Sequence, residues 1–220
     1  MKYYLVNVGV NSSHRPLYAP LLPDGRFEYV PIPQPKYQEC PLLPTYADLR
    51  YRWLRAEQFI PARCLRWKAH NDPDFEEGTF GWYHRIRWAG VDLSPGNVLV
   101  FYGRLVDMRS RESVLAIIGR LYIERVWERV RVWHPEFEHL RNPHVLLAKW
   151  DRRLLDGFFL CQGSAELFET AVPFTPELAV ALFPSHSSKI REMAGRFGPV
   201  RGLAMFFRKV REIEAPSELP

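Results

Sequence analysis

Runs of apolar and alternating residues along the chain predict a sheet with short helices around it. β-Rich runs predict strands at Tyr3–Val10, Phe27–Val30, Val98–Tyr102, Asp156–Cys161 and Leu203–Ile213. The run Ser113–Val126 fits both helical spacing and strand alternation. Gly119 and the β-branched content favour a strand from about Ala116.

Helical spacing and start signals predict the remaining regular elements. We expect helices at Thr45–Phe59, Pro176–Phe183 and Ser188–Phe197, and a helical turn at Pro135–Leu140. The basic segment Gly103–Arg111 is predicted to form a turn between two strands. Residues 16–45 are rich in proline and apolar side chains, and we expect them to form an extended arm on the core. The pattern predicts one α+β domain over residues 1–214, with a curved mixed or antiparallel sheet, peripheral helices and a flexible tail at 215–220.

The segment Lys68–Tyr83 groups six polar residues between His70 and Glu77 and then three aromatic residues, Phe80, Trp82 and Tyr83. Pro73 and two glycines, Gly78 and Gly81, prevent a continuous helix there. Loops on a rigid scaffold commonly carry binding and catalytic residues, so we expect the functional site to include this segment.

His70, Asp72 and Asp74 are the candidate catalytic residues of this loop. Two carboxylates and an imidazole within five residues can supply acid and base groups or bind a divalent metal, with His14 and His144 as distant partners. The spacing matches no metal-site motif, so no metal ligand is assigned. The alternative is an Asp-rich turn in which Asp72 or Asp74 caps backbone amides.

Polar residues also follow the ends of several predicted strands, at Asn11–His14, Tyr102–Arg104 and Gln162–Ser164. If these strands are neighbours, the polar groups and the loop converge on one rim, and Trp82 and Tyr83 are placed to stack on a base. The candidate ligand-binding residues are Asn11, Ser12, His14, Asn71, Trp82, Tyr83, Tyr102, Arg104, His144 and Ser164.

Composition adds few constraints to this prediction. A net charge of +5 and 14% aromatic residues permit a nucleic-acid or nucleotide partner without requiring one. Three widely spaced cysteines, no signal-peptide pattern and no long apolar run predict a reduced cytoplasmic protein without a membrane span. Abundant Arg, Glu and Pro would fit a thermophile.

Several motifs occur in the order found in a known family. They are Asn7-Val-Gly-Val-Asn-Ser-Ser-His14, Pro20–Pro33, His70-Asn-Asp-Pro-Asp-Phe-Glu76, Pro95–Leu105, Ile117–Val126 and Gln162–Pro173. With these motifs the chain resembles the third type of nucleotide modification associated domain, a family found with DNA-modification systems. It departs from the family pattern at Trp82, where an acidic residue is usual, and at Gly96-Asn97, where Gly-Asp is usual, so no role for an acid is carried over to either position.

The strands around Gly96 to Val126 also resemble the centre of PUA-like domains, which implies a partly closed barrel whose mouth receives a nucleobase. The resemblances therefore imply recognition of a nucleobase or nucleotide, linked to modified DNA or RNA. The alternative is a transferase or hydrolase that uses His70, Asp72 and Asp74, and a third class is an interaction protein without a ligand. The sequence names no cofactor and no oligomeric state.

Overall fold

A computed structural model describes residues 1–35, 40–82, 91–155 and 157–215. In these ranges the strands are β1 (Tyr3–Asn7), β2 (Ala19–Leu21), β3 (Ile32–Pro33), β4 (Ala69–His70), β5 (Thr79–Trp82), β6 (Val98–Asp107), β7 (Ser113–Val130), β8 (Phe158–Pro173) and β9 (Arg211–Ile213). The α-helices are α1 (Pro143–Trp150), α2 (Pro176–Leu182), α3 (Ser187–Phe197) and α4 (Pro199–Phe206). None of these helices has the length and apolar character that a membrane-spanning helix needs.

Seven of these strands form one mixed sheet in the order β5-β8-β7-β6-β1-β9, with β2 also paired to β6. Strands β1 and β2 run parallel to β6, and the other pairs in the sheet are antiparallel. Strands β3 and β4 form a separate antiparallel pair. The prediction that Val98–Tyr102 and Ile117–Val126 are neighbouring strands is confirmed, and they pair antiparallel with Leu99 opposite Leu121.

The sheet is strongly curved but not closed. The ring of Phe80 in β5 lies 5.3 Å from the ring of Phe101 in β6, although β8 and β7 separate these strands in the sheet. Irregular pairing in β7, at Ile117/Gly119 and Ile123/Arg125, provides the extra twist that such curvature needs. An α+β fold with a curved sheet is therefore confirmed, and the PUA-like barrel stays a prediction.

Alternating residues of β6 divide the apolar interior into two layers. Leu99 and Phe101 pack with residues of the extended arm, including Leu17 and Phe27, which confirms that the arm lies on the core. Val98, Val100 and Tyr102 face the other way and pack with residues of α2, α3 and α4. A smaller cluster at the far ends of β7 and β8 packs against α1.

Two predicted elements are wrong. Thr45–Phe59 forms no α-helix, because the buried carboxylate of Glu28 accepts backbone N–H groups from Arg52, Trp53 and Leu54, and only Ala56–Gln58 makes a short 3₁₀ turn. Leu203–Ile213 is not one strand, since its first part is the end of α4 and only β9 pairs with the sheet.

Other boundaries were misplaced because local polarity was taken for a turn. Strand β6 continues through Arg104 to Asp107, and β8 continues through Gln162–Ser164 to Pro173. Phe27–Val30 contributes only an isolated bridge from Phe27 to Leu21. The predicted helices at 176–183 and 188–197 and the helical turn at 135–140 are confirmed.

Candidate functional site

The short β3–β4 pair places His70 beside Gln34. Ile32 lies opposite His70 in this pair, and the amide of Gln34 donates to the carbonyl of Lys68 over 2.9 Å. The Gln34 side chain thereby meets the imidazole, with Oε1 2.8 Å from His70 Nδ1. Because Gln34 Oε1 can only accept, Nδ1 of His70 carries the proton and its Nε2 presents a lone pair to the interior.

Asp72 is anchored by groups from two other elements. The Gly81 amide in β5 donates to both carboxylate oxygens of Asp72, at 3.0 and 3.2 Å. Asn142 Nδ2 donates to Asp72 Oδ1 over 3.1 Å and also contacts Thr79 Oγ1. These contacts fix the carboxylate at the start of the loop.

His144 comes from the first turn of α1. Asn142 caps this helix by accepting the His144 amide over 3.1 Å, and Pro143 occupies the first helical position. The His144 ring stacks on Phe158 with centroids 6.1 Å apart. Its Nε2 lies 3.3 Å from His70 Nε2 and 3.3 Å from Asp72 Oδ2, so the three side chains form one group, hereafter the His-Asp-His cluster.

Burial favours the uncharged forms of Asp72 and His70. The side chains of His144 and Asp72 are only 7% and 5% exposed. Desolvation raises the pKa of Asp72 to about 7, although His70, the Gly81 amide and Asn142 oppose that shift. Desolvation, with a smaller effect of His144, lowers the pKa of His70 to about 3. A carboxyl group that titrates near neutral pH beside imidazole nitrogens can exchange a proton or bind a cation.

A cavity of about 1060 Å³ opens elsewhere, between the sheet and the turn from α3 to α4. Its wall contains polar and aromatic side chains from β1, β5, β6 and the 3₁₀ turn Ser12–His14. Four cationic residues also line it, namely Arg104, Arg201, Arg208 and Lys209. We call it the basic cavity, because none of the described residues in its lining is acidic.

The basic cavity is flanked by further positive groups. A small neighbouring depression shares Arg104 with it and adds Arg15 and Arg111, again with no acidic side chain among its described lining residues. Burial and the nearby Arg15 lower the pKa of Arg104. The first turn of α4, at Gly198 to Arg201, also lines the cavity, and no side chain in the described ranges caps this helix end. Helix N-termini present amide N–H groups and a partial positive charge.

A family model described as nucleotide modification associated domain 3 matches residues 2–179 of the 220-residue chain. The chain belongs to the nucleotide modification associated domain 3 family. Comparison with curated proteins and with solved structures gave no match. The part that matches the family contains the His-Asp-His cluster and Arg104, whereas Arg201, Arg208 and Lys209 of the basic cavity follow it.

The structure of this family member divides the predicted site residues among several places. Asn11, Ser12, Trp82, Tyr102 and Arg104 line the basic cavity. His70, Asp72 and His144 form the buried cluster. Among the described residues, the lining of the basic cavity includes none of these three, so the cluster lies apart from that cavity.

The other predicted residues lie elsewhere. Asn71 and Asp74 line a second cavity of about 610 Å³, where Asp74 Oδ1 accepts the amides of Glu76 and Glu77. His14 Nδ1 accepts the Asn11 amide over 3.0 Å and so helps to shape the turn beside the basic cavity. Ser164 is exposed within β8, opposite Tyr122, and Tyr83 lies outside the described residues.

Several residues of both sites were not predicted. Asn142 had a recognisable signal, since Asn followed by Pro is a common helix start. Arg208 and Lys209 were assigned to the predicted strand Leu203–Ile213, and Arg201 was assigned to no element, so their positions around α4 were not predicted. Gln34 had no local signal, because only the β3–β4 pairing brings it to His70.

Proposed function

We propose that the basic cavity binds a nucleotide, either free or within DNA or RNA. The observation that carries this proposal is the concentration of Arg104, Arg201, Arg208 and Lys209 around one cavity with no acidic residue in its described lining. Cations placed in this way attract phosphate groups and supply charge-assisted hydrogen bonds to their oxygens. The uncapped first turn of α4 adds donors of the same kind.

Other residues of the cavity lining supply groups for a nucleobase. Trp82 is partly exposed and offers an aromatic face for stacking. Asn11 and Ser12 have side chains that can donate to and accept from a base edge. Tyr102 is buried and donates its hydroxyl to the Phe207 carbonyl, so it forms part of the wall and does not read the base.

Membership of a family described as nucleotide modification associated supports a nucleotide ligand over other phosphate compounds. It also suggests that the preferred base is modified. The proposal therefore specifies recognition of a nucleobase, with affinity from phosphate contacts and selectivity from contacts to the base.

Binding of fluorescein-labelled DNA and RNA oligonucleotides and of free nucleotides, measured by anisotropy over a range of salt concentrations, tests this proposal. Oligonucleotides with and without a modified base are compared in parallel. Arg201→Gln removes one exposed cation from the cavity, and Arg191→Gln removes another exposed arginine, in α3, that is not in the cavity lining. We expect Arg201→Gln to weaken oligonucleotide binding and to reduce the salt slope by about 0.7–0.9.

Arg191→Gln should leave both affinity and salt slope close to those of the parent. Equal effects of the two substitutions would mean that binding follows net charge and not the cavity. Absence of binding at low salt to DNA, RNA and free nucleotides would contradict the proposal altogether.

A nucleotide-modifying enzyme is the second candidate, because Asp72 lies beside two imidazoles with its pKa raised to about 7 by burial. In this hypothesis His70 and Asp72 supply acid and base groups, while Asp74 holds its own turn through two backbone amides. Turnover of a nucleotide substrate that is lost in Asp72→Asn, with nucleotide affinity retained, would support the enzyme. Loss of affinity without any turnover in the parent would favour a binding module.

A further inference from the structure

The His-Asp-His cluster brings together the atom types that bind zinc. One donor atom from each of His70, Asp72 and His144 lies within 4.8 Å of the others. Imidazole nitrogen and carboxylate oxygen are common zinc ligands, and catalytic zinc sites often have three protein ligands. The donors come from β4, the loop after it and the start of α1, so their convergence is a product of the fold.

Two of the three donor separations fit one small ion, and the third, between His70 and Asp72, lies within 4.8 Å. His144 Nε2 lies 3.3 Å from both His70 Nε2 and Asp72 Oδ2. In a tetrahedral site with zinc–ligand bonds of about 2.0 Å, neighbouring donors lie about 3.3 Å apart. Octahedral magnesium with bonds of about 2.1 Å would require about 3.0 Å and prefers oxygen ligands.

The groups around the donors hold them in the orientation that a metal needs. The contact between Gln34 Oε1 and His70 Nδ1 directs the lone pair of His70 Nε2 into the cluster. Asn142 fixes two ligands at once, since it donates to Asp72 and accepts the amide of His144. Asp72 is held further by the Gly81 amide. Outer contacts of this kind, from a side-chain oxygen to a histidine and from amides to a carboxylate, are typical of metal sites.

We propose that His70 Nε2, His144 Nε2 and the Asp72 carboxylate bind one zinc ion and leave its fourth position for water or a ligand atom. The proposal does not depend on nucleotide binding, because the cluster and the basic cavity have different linings. A zinc ion there would supply a Lewis acid and lower the pKa of a bound water.

A competition titration tests the site with zinc alone. Untagged protein is stripped with a chelator, and Zn²⁺ is added in the presence of a chromophoric chelator. We expect one equivalent to bind the parent, and Asp72→Asn and His144→Gln to weaken that binding by more than about 100-fold, since even outer contacts cost 10–100-fold. His134→Gln is the matched control, because this partly buried histidine packs on Phe137 and is not in the cluster.

Cobalt substitution decides the case if the cluster variants do not fold. Co²⁺ bound by two imidazoles and a carboxylate in a tetrahedral site gives strong visible absorption, whereas six-coordinate Co²⁺ on the surface gives weak bands. Strong bands from the folded parent that one equivalent of Zn²⁺ abolishes would support the proposal. It is overturned if the parent binds Zn²⁺ no more tightly than the variants, or if its Co²⁺ spectrum is that of a six-coordinate ion. The cluster would then be a hydrogen-bonded group without metal.

Discussion

Nε2 of His70 lies 3.3 Å from Nε2 of His144, although the two histidines are 74 positions apart in the chain. The His70 ring belongs to the β3–β4 pair and the His144 ring lies in the first turn of α1, and their planes are inclined by 83°. Asp72 closes the group on one side. This contact joins the proline-rich arm, the polar loop and the small apolar cluster that packs against α1, so changes in any of them should affect the same site.

Gln34 should act as a positioning residue for zinc. Gln34→Leu removes the acceptor for His70 Nδ1, so the ring is free to change tautomer or rotate. We expect zinc affinity in the competition titration to fall by about 10–100-fold, with one equivalent still bound. Gln34→Glu keeps an acceptor oxygen and should restore most of the affinity. If Gln34→Leu binds zinc as tightly as the parent, the outer contact has no positioning role.

Gly81 is required by the close packing of α1 against β5. A Cβ at this position would overlap the His144 ring and lie 2.9 Å from Asn142 Oδ1. We expect Gly81→Ala to lower the free energy of unfolding by about 1–3 kcal/mol, as overpacking does, and to weaken zinc binding because His144 is displaced. Gly195→Ala in α3 is the control, since a Cβ there meets nothing within 4 Å and alanine favours a helix. Denaturant unfolding of both variants tests the difference.

The centre of the sheet could be predicted because its apolar pattern lies within one short run of residues. Val98–Tyr102 is continuously apolar and β-rich, and its burial on both faces explains that pattern. Thr45–Phe59 also had a local pattern, of helical type, but a single distant carboxylate, that of Glu28, takes up the amides that a helix would have used. Tertiary hydrogen bonds of this kind cannot be read from spacing.

The sequence predicted which residues belong to the candidate site, but not which of them lie close together. His70 and Asp72 were chosen as neighbours in sequence, and His144 as a distant partner, and these three are brought together. His14 was considered on the same grounds, yet it caps its own turn through Asn11. The β3–β4 pair and the packing of α1 decide which histidine lies beside Asp72. The residues near His70 in the sequence indicate neither of these contacts.

Glu28 should be among the most important polar residues for stability. Its side chain is buried and accepts three backbone amides over 2.5 to 2.9 Å. Glu28→Ala would leave these donors without their acceptor, and we expect the free energy of unfolding to fall by about 3 kcal/mol or more. Glu28→Gln retains one acceptor oxygen and should cost less. Limited proteolysis near residues 50–55 should increase in the alanine variant before global unfolding, and equal protease resistance of the two variants would contradict this account.

His14 should make stability depend on pH through the turn beside the basic cavity. Burial lowers its pKa from the ordinary 6.5, and its neutral Nδ1 accepts the Asn11 amide. Between the lowered folded pKa and 6.5 the unfolded chain binds more protons than the folded one. This contribution to the free energy of unfolding is therefore complete above pH 6.5 and is lost as the pH falls.

Two substitutions at His14 separate the proton effect from the loss of the hydrogen bond. His14→Gln keeps a side-chain acceptor for the Asn11 amide but does not titrate, so its stability relative to the parent should rise as the pH falls from 7.5 to 5. His14→Ala removes the acceptor as well and should cost about 1 kcal/mol at pH 7.5. Denaturant unfolding of the parent and the two variants at each pH gives the free energies of unfolding to be compared. A constant difference between the parent and His14→Gln would show that folding does not shift the pKa of His14, and stability would then not depend on its protonation state.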